Sequence, residues 1–172
     1  RAWFERESRL DAVVFDMTGT LTEGRFGVSD IVMLQEGDER QELAFAAAAE
    51  SQSEHPIAHG IVAEAKRRDI AIPKASDVRN ITGEGIVASV GDVRVRIVSP
   101  GHLARQGNAI THERLGQLES AGKTVVVLER DGQARALFAL ADIVRPESRE
   151  AIAELTRLGI RSVMLTGDAR GV

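Results

Sequence analysis

An aspartate at the end of a short apolar strand is the residue of this chain best placed to do chemistry. Residues 11–22 read D-A-V-V-F-D-M-T-G-T-L-T, so the apolar run ends on Asp16 and hydroxyl side chains and a glycine follow it. A buried parallel strand presents its last residue at the carboxyl edge of its sheet, where ligands bind. Backbone N–H groups in the following turn can converge on an anion, which favours a phosphate site with Asp16 as nucleophile. An ordinary strand followed by an ordinary turn is the alternative.

A second candidate site is S-E-H-P at residues 53–56, where Pro56 fits the first position of a helix. His55 could stack on an aromatic ring or hydrogen-bond to it, and Glu54 could accept a hydrogen bond from an exocyclic amine. A purine offers both kinds of partner. A helix-capping turn is the simpler interpretation of the same residues.

Three further signals are weak on their own. Glycines at positions 83 and 85 are more often a loop between strands than a ligand site. Asp142 and Arg145 are consistent with a surface ion pair near a helix N-terminus, which stabilises little. The third signal is a second apolar strand, which ends on T-G-D at residues 166–168.

In combination these motifs resemble a known family. The stretch from Asp16 onward resembles the phosphorylation motif D-K-T-G-T-L-T of P-type ATPases, with Met17 where that family has lysine. S-E-H-P-I-A at residues 53–58 is similar to the nucleotide-binding signature of the heavy-metal branch, and V-M-L-T-G-D at residues 163–168 is similar to its M-L-T-G-D-N segment. S-P-G at residues 99–101 looks most like the copper-transporting subgroup. The resemblance covers essentially the whole chain.

The resemblance implies roles for individual residues. Asp16 would accept the γ-phosphoryl group of ATP, and its carboxylate would hold Mg²⁺ together with the Thr18 carbonyl. ATP and Mg²⁺ are the implied cofactors. The implied catalytic residues are Asp16, Thr18, Thr166, Gly167 and Asp168. The implied ATP-binding residues are Glu54, His55, Gly83, Gly85, Ile86, Gly101, Asp142 and Arg145.

The hydrophobic pattern predicts the elements that position these residues. Two apolar strands, one ending on Asp16 and one at residues 160–165, are expected side by side in one parallel sheet, with a helix before the second. Between them, helices and strands in antiparallel order are expected. The predicted strands are 28–34, 76–80, 85–90, 93–98, 123–129 and 134–141. The predicted helices are 41–51, 56–68 and one capped by Thr111 that ends before Gly122.

The predicted fold class is therefore α/β. A partial doubly wound parallel sheet, of haloacid-dehalogenase-like type by resemblance, receives an inserted α+β domain built on an antiparallel sheet. The expected domains are a linker helix with the first part of a phosphorylation domain at 1–26, a nucleotide-binding domain at 27–138, and the continued, truncated phosphorylation domain at 139–172.

Composition limits the classes of function. The 172 residues carry a formal net charge of −4, 43% apolar residues, 28% charged residues and no cysteine. Nucleic acid is not an expected partner, and neither a disulfide nor a thiolate metal site can form. No apolar run approaches the ~20 residues that span a bilayer.

The resemblance implies the cytoplasmic ATP-binding and phosphorylation portion of a heavy-metal, copper-type transporting ATPase, placed at the cytoplasmic face of a membrane. ATP and the remaining membrane, actuator and phosphorylation-domain segments of the same polypeptide are the implied partners, and no stable homo-oligomer is expected. Because a third aspartate and a lysine of the family would lie beyond Val172, the chain alone is expected to be inactive.

Two alternatives remain at this point. A haloacid-dehalogenase-type phosphatase would share the Asp16 strand but normally has an acid at the position of Thr18. A non-catalytic nucleotide-sensing module would tolerate Met17 and also Ala169, which replaces the asparagine of the family segment.

Overall fold

The computed structural model describes residues 11–16, 20–81 and 83–165. The chain forms two compact units. The inserted unit is Phe26–Ala141, and the flanking unit comprises Arg1–Arg25 and Asp142–Val172. The strands are β1 (Ala12–Asp16), β2 (Thr22–Met33), β3 (Ser76–Ile81), β4 (Gly85–Val90), β5 (Val93–Val98), β6 (Thr124–Arg130), β7 (Gln133–Val144) and β8 (Arg161–Leu165). The helices are α1 (Glu39–Glu50), α2 (Pro56–Arg67), α3 (Pro100–Arg105), α4 (Glu113–Ser120) and α5 (Pro146–Arg157).

In the flanking unit, β1 and β8 pair in parallel, with Ala12 opposite Arg161 and Asp16 opposite Leu165. Helix α5 precedes β8 and contacts it. Pro146 occupies the first turn of α5, where its missing N–H costs no hydrogen bond. The two apolar strands predicted to lie side by side do so, and the predicted α/β class is confirmed.

A six-stranded sheet in the order β2-β7-β6-β5-β4-β3 forms the centre of the inserted unit. The pairs from β3 through β7 are antiparallel. Side chains alternate between the two faces, as the period of two in a strand requires. In β6, Val126 and Leu128 belong to the core beneath α1 and α2, whereas Val125 and Val127 belong to the core beneath α3 and α4.

The alanine run of α1 lies in the first of these two cores. Four consecutive alanines at residues 46–49 are fully buried, and Leu43 and Ile61 pack in the same core. Alanine favours the helix, and its side chain occupies little volume, so α1 can approach α2 and the sheet closely. No helix among the residues that the structure describes is long and apolar enough to cross a membrane.

Two local predictions were wrong. Strand β2 begins at Thr22 rather than at residue 28, because hydrogen bonding to β7 extends it through a glycine-containing stretch of low strand propensity. Helix α4 is capped by His112, not Thr111: His112 Nδ1 accepts the Arg114 N–H at 3.2 Å. Helix α3 is absent from the predicted elements, although Ser99 at the N-cap and Pro100 in the first turn are start signals.

Candidate functional site

The inserted unit contains a cavity of about 610 Å³. Its walls come from the end of α1, the start of α2, the turn between β3 and β4, and the inner face of the central strands. The lining residues are Glu50, Ser53, Glu54, His55, Ile57, Asn80, Ile81, Gly83, Glu84, Gly85, Ile86, Ile97, Val98, Ser99 and Val126. The predicted ATP-binding residues Glu54, His55, Gly83, Gly85 and Ile86 are therefore brought together around one cavity.

His55 performs a structural task with one ring nitrogen. It is the N-cap of α2, and its Nδ1 accepts the Ile57 N–H at 3.2 Å. An accepting Nδ1 carries no proton, so the proton of the neutral ring lies on Nε2. His55 can therefore cap the helix and bind a ligand at the same time, because the cap uses Nδ1 and leaves Nε2–H and the exposed ring face available.

Glu54 stands beside the cap and is almost entirely in solvent. Its side chain is 97% exposed, and Oε2 lies 3.6 Å from Nε2 of His59, one turn into α2. Such an exposed pair contributes little to stability. The Glu54 carboxylate is therefore free to accept hydrogen bonds from a molecule in the cavity.

Glu50 is a cavity residue that the sequence motifs did not reveal. It is the last residue of α1 and only 7% exposed, although it carries a carboxyl group. Burial raises the pKa of this carboxyl to about 7, while a hydrogen bond with Ser53 acts in the opposite direction. The sequence feature that could have identified Glu50 is its position, at the end of the alanine run and just before S-E-H-P.

The two glycines of the β3–β4 turn differ in what they require. At Gly85, with φ +149°, a side-chain carbon would meet the Ile97 carbonyl oxygen at 2.0 Å. Gly85 is therefore needed for the close approach of β4 to β5. At Gly83, with φ +71°, no described atom lies within 4 Å of an added side-chain carbon, so only the backbone conformation favours glycine there.

The charge of the cavity wall is one-sided. Three glutamates, Glu50, Glu54 and Glu84, line it together with apolar side chains from the strands. None of the described residues that line it is lysine or arginine. Such a wall suits a neutral, flat molecule with hydrogen-bond donors, and it repels phosphate groups.

Gly101 is not among the described residues that line this cavity. It lies in the first turn of α3, where an added side-chain carbon would make ordinary contact with Arg105 Nη1 at 3.6 Å. Ser99, two residues earlier, lines the cavity instead. The nucleotide-binding role of Gly101 therefore stays a prediction, and the described cavity lining does not support it.

In the flanking unit, Asp16 ends β1 with an exposed side chain. The other predicted catalytic residues, Thr18, Thr166, Gly167 and Asp168, lie outside the described residues. Within the described part of the chain, no group of three or more His, Cys, Asp or Glu side chains could hold a metal ion. Of the Mg²⁺ ligands that the resemblance implies, Asp16 is the only one within the described residues.

Asp142 and Arg145 meet at Thr22. The Thr22 hydroxyl donates to Asp142 Oδ2 at 2.6 Å, and Arg145 Nε donates to the Thr22 carbonyl at 3.0 Å. The backbone N–H of Arg145 donates to the Leu21 carbonyl at 3.0 Å. Both residues therefore fasten the segment that follows Asp16 to the start of α5, and neither is among the described residues that line the cavity of the inserted unit.

Comparisons with known proteins identify the family of this chain. A family model for haloacid dehalogenase-like hydrolases matches residues 10–172. The chain is 46% identical over its full length to a copper-exporting P-type ATPase B of Archaeoglobus fulgidus, but it covers only 25% of that protein. It thus spans about a quarter of the length of that curated relative.

Two solved structures are similar in fold. A zinc-transporting PIB-type ATPase superposes with a TM-score of 0.82 at 40% identity, over 94% of this chain and 26% of that one. The catalytic domain of the CPx-ATPase CopB-B, from a study of conformational changes upon nucleotide binding, has a TM-score of 0.65 at 25% identity. That match covers 99% of this chain and 59% of the other.

Proposed function

This chain belongs to the haloacid dehalogenase-like hydrolase family and is homologous to the catalytic part of heavy-metal P-type ATPases; on that premise we propose that it binds ATP and carries the aspartate that ATP phosphorylates. The inserted unit is assigned as the nucleotide-binding domain, and the flanking unit as part of the phosphorylation domain. The observation that carries the first assignment is the cavity lined by Glu50, Glu54 and His55.

The chemistry of the cavity favours adenine over guanine. Adenine presents an exocyclic amine, which donates, where guanine presents a carbonyl oxygen, which accepts. The carboxylate of Glu54 is an acceptor for such an amine, and would face the guanine oxygen with unpaired charge. His55 contributes the Nε2–H donor and a ring face for stacking.

The triphosphate belongs outside the cavity. Because the described lining holds three glutamates and neither lysine nor arginine, the cavity accepts the nucleoside and leaves the phosphate groups in solvent. The γ-phosphoryl group is then available for transfer to another part of the protein.

Asp16 is the proposed acceptor. Its carboxylate oxygen attacks the γ-phosphorus, a new O–P bond forms, and the bond from that phosphorus to the bridging oxygen breaks with release of ADP. Thr18, Thr166, Gly167 and Asp168 are assigned to the same site by resemblance. Mg²⁺ would neutralise the phosphate charge there when bound.

The proposed role in the whole protein is energy supply for heavy-metal transport across a membrane. Copper is the favoured cargo because a copper-exporting ATPase is 46% identical to this chain. The membrane, actuator and remaining phosphorylation-domain segments of the same polypeptide are the proposed partners, and this chain would lie on the cytoplasmic face.

Titration of the ¹⁵N-labelled chain with ATP, followed by amide chemical shifts, tests the nucleotide assignment. Shifts should concentrate at residues that line the cavity, including the Gly83 and Gly85 amides, and GTP should produce them only at higher concentration. Shifts spread over the surface, or equal responses to ATP and GTP, would contradict the assignment.

A further inference from the structure

A buried histidine behind the cavity wall connects that wall to the sheet. His102 is 3% exposed, and its Nδ1 lies 3.3 Å from Oε1 of Glu84. Its other ring nitrogen, Nε2, lies 3.4 Å from Nη2 of Arg96 on β5. Arg96 in turn pairs with Glu129 on β6, with Nη1 and Oε2 2.9 Å apart. Glu84 lines the cavity, whereas His102 is not among the described residues that do.

The order of these groups fixes where the ring proton lies. A guanidinium group can only donate, so Nε2 of His102 must accept from Arg96. The proton of the neutral ring is therefore on Nδ1, which faces the Glu84 carboxylate. Glu129 pairs with Arg96 by charge. The tautomer of His102 is therefore set by Arg96, which is not among the described residues that line the cavity.

The segment that this contact secures carries the two glycines of the cavity. Glu84 lies between Gly83 and Gly85, and its N–H donates to the Ile81 carbonyl at 2.9 Å. The Ser99 N–H donates to the Glu84 carbonyl at 3.3 Å, which ties the turn to the start of α3. The side-chain contact with His102 is a second link between the same turn and the same helix.

We propose that His102 is a positioning residue for the nucleotide cavity: it holds the Glu84 carboxylate against α3 and so fixes the β3–β4 turn in the form that receives the nucleoside. The inference rests on the proposed function of the cavity. Without the Nδ1–H contact, the Glu84 carboxylate loses its hydrogen-bond donor, and the turn loses one of its two described links to α3.

A double-mutant cycle in ATP affinity tests this role. His102→Leu should weaken ATP binding about tenfold, the size of one hydrogen bond to a charged group. In a Glu84→Ala background the same substitution should change affinity less than about twofold, because the contact is already absent. Equal losses in both backgrounds would assign His102 to core packing alone and overturn the proposal.

Two amide substitutions keep the test valid if His102→Leu does not fold. His102→Asn places an N–H near the position of Nδ1 and should retain most of the affinity, whereas His102→Gln places its amide towards Arg96 and should lose about as much as the leucine variant. Equal affinities of the two amide variants would contradict the proposal. If the parent chain itself fails to bind ATP, both the proposed function and this inference are overturned. If the parent binds ATP but the effects of the two substitutions simply add, only the inference about His102 is overturned.

Discussion

The α-carbon of Gly85 lies so close to Ile97 that a side-chain carbon at residue 85 would stand 2.0 Å from the Ile97 carbonyl oxygen. Gly85 pairs with Val98 at the end of the β4–β5 ladder, directly beside the cavity. The glycine thus serves the packing of two backbones, and the cavity wall depends on that packing.

Replacement of Gly85 by alanine should destabilise the inserted unit by at least about 2 kcal/mol, because the clash is with backbone and cannot be relieved by a rotamer change. Gly91→Ala is the matched control: its φ is +58° and no described atom lies within 4 Å, so only the backbone cost of about 1 kcal/mol applies. Urea unfolding measures both, and equal losses would contradict the packing role.

Glu50 should make stability depend on pH. Its carboxyl has a pKa of about 7 in the folded chain against 4.5 as the ordinary value. Between these two pH values the folded chain keeps a proton that the unfolded chain has released. Raising the pH through this window therefore lowers the free energy of unfolding, and the loss is complete above the folded pKa.

Glu50→Gln removes this titration, so its stability relative to the parent chain should rise between pH 4.5 and pH 7, by an amount on the order of 3 kcal/mol. Urea unfolding at a series of pH values is the measurement. Glu119→Gln, at an exposed position of α4, should give a curve parallel to that of the parent. A constant difference for Glu50→Gln across the window would show that the carboxyl titrates normally.

The contact between Thr22 and Asp142 should stabilise the flanking unit. In Thr22→Val the Asp142 carboxylate loses a donor at 2.6 Å, and its other oxygen, Oδ1, is buried and has no hydrogen-bond partner among the described residues. A cost of about 1–3 kcal/mol is expected.

Hydrogen exchange of the β1 and β8 amides would report this loss. Thr156→Val is the control, because the Thr156 hydroxyl donates to the Ile152 carbonyl of its own helix at an exposed site. Its effect should stay within about 0.5 kcal/mol. Unchanged protection in Thr22→Val would show that Asp142 does not anchor the segment after Asp16.

Some of this molecule could be predicted from sequence because its signals are local. The apolar run before Asp16 predicts a buried parallel strand, and β1 does pair in parallel with β8, but its residues are exposed or half-buried, so the predicted burial was wrong. Pro56 after S-E-H predicts the start of α2. Glu50 could not be found in this way, because its burial depends on α1 packing beside the cavity. The contact between Glu84 and His102 could not be predicted either. It joins two segments that are distant in the chain, and local hydrophobic periodicity does not indicate which distant segments meet.

ATP binding at His55 is the central claim, and one calorimetric comparison tests it most directly. His55→Asn keeps a side chain that caps helices well but removes the ring, so α2 should remain folded. His112→Asn is its counterpart, because His112 caps α4 through the same Nδ1 contact at 3.2 Å and is not among the described residues that line the cavity. The parent chain and His112→Asn should bind ATP equally, and His55→Asn should bind about tenfold more weakly, the loss of one good contact. Equal ATP affinity in His55→Asn and His112→Asn, or no binding by the parent chain, would contradict the account.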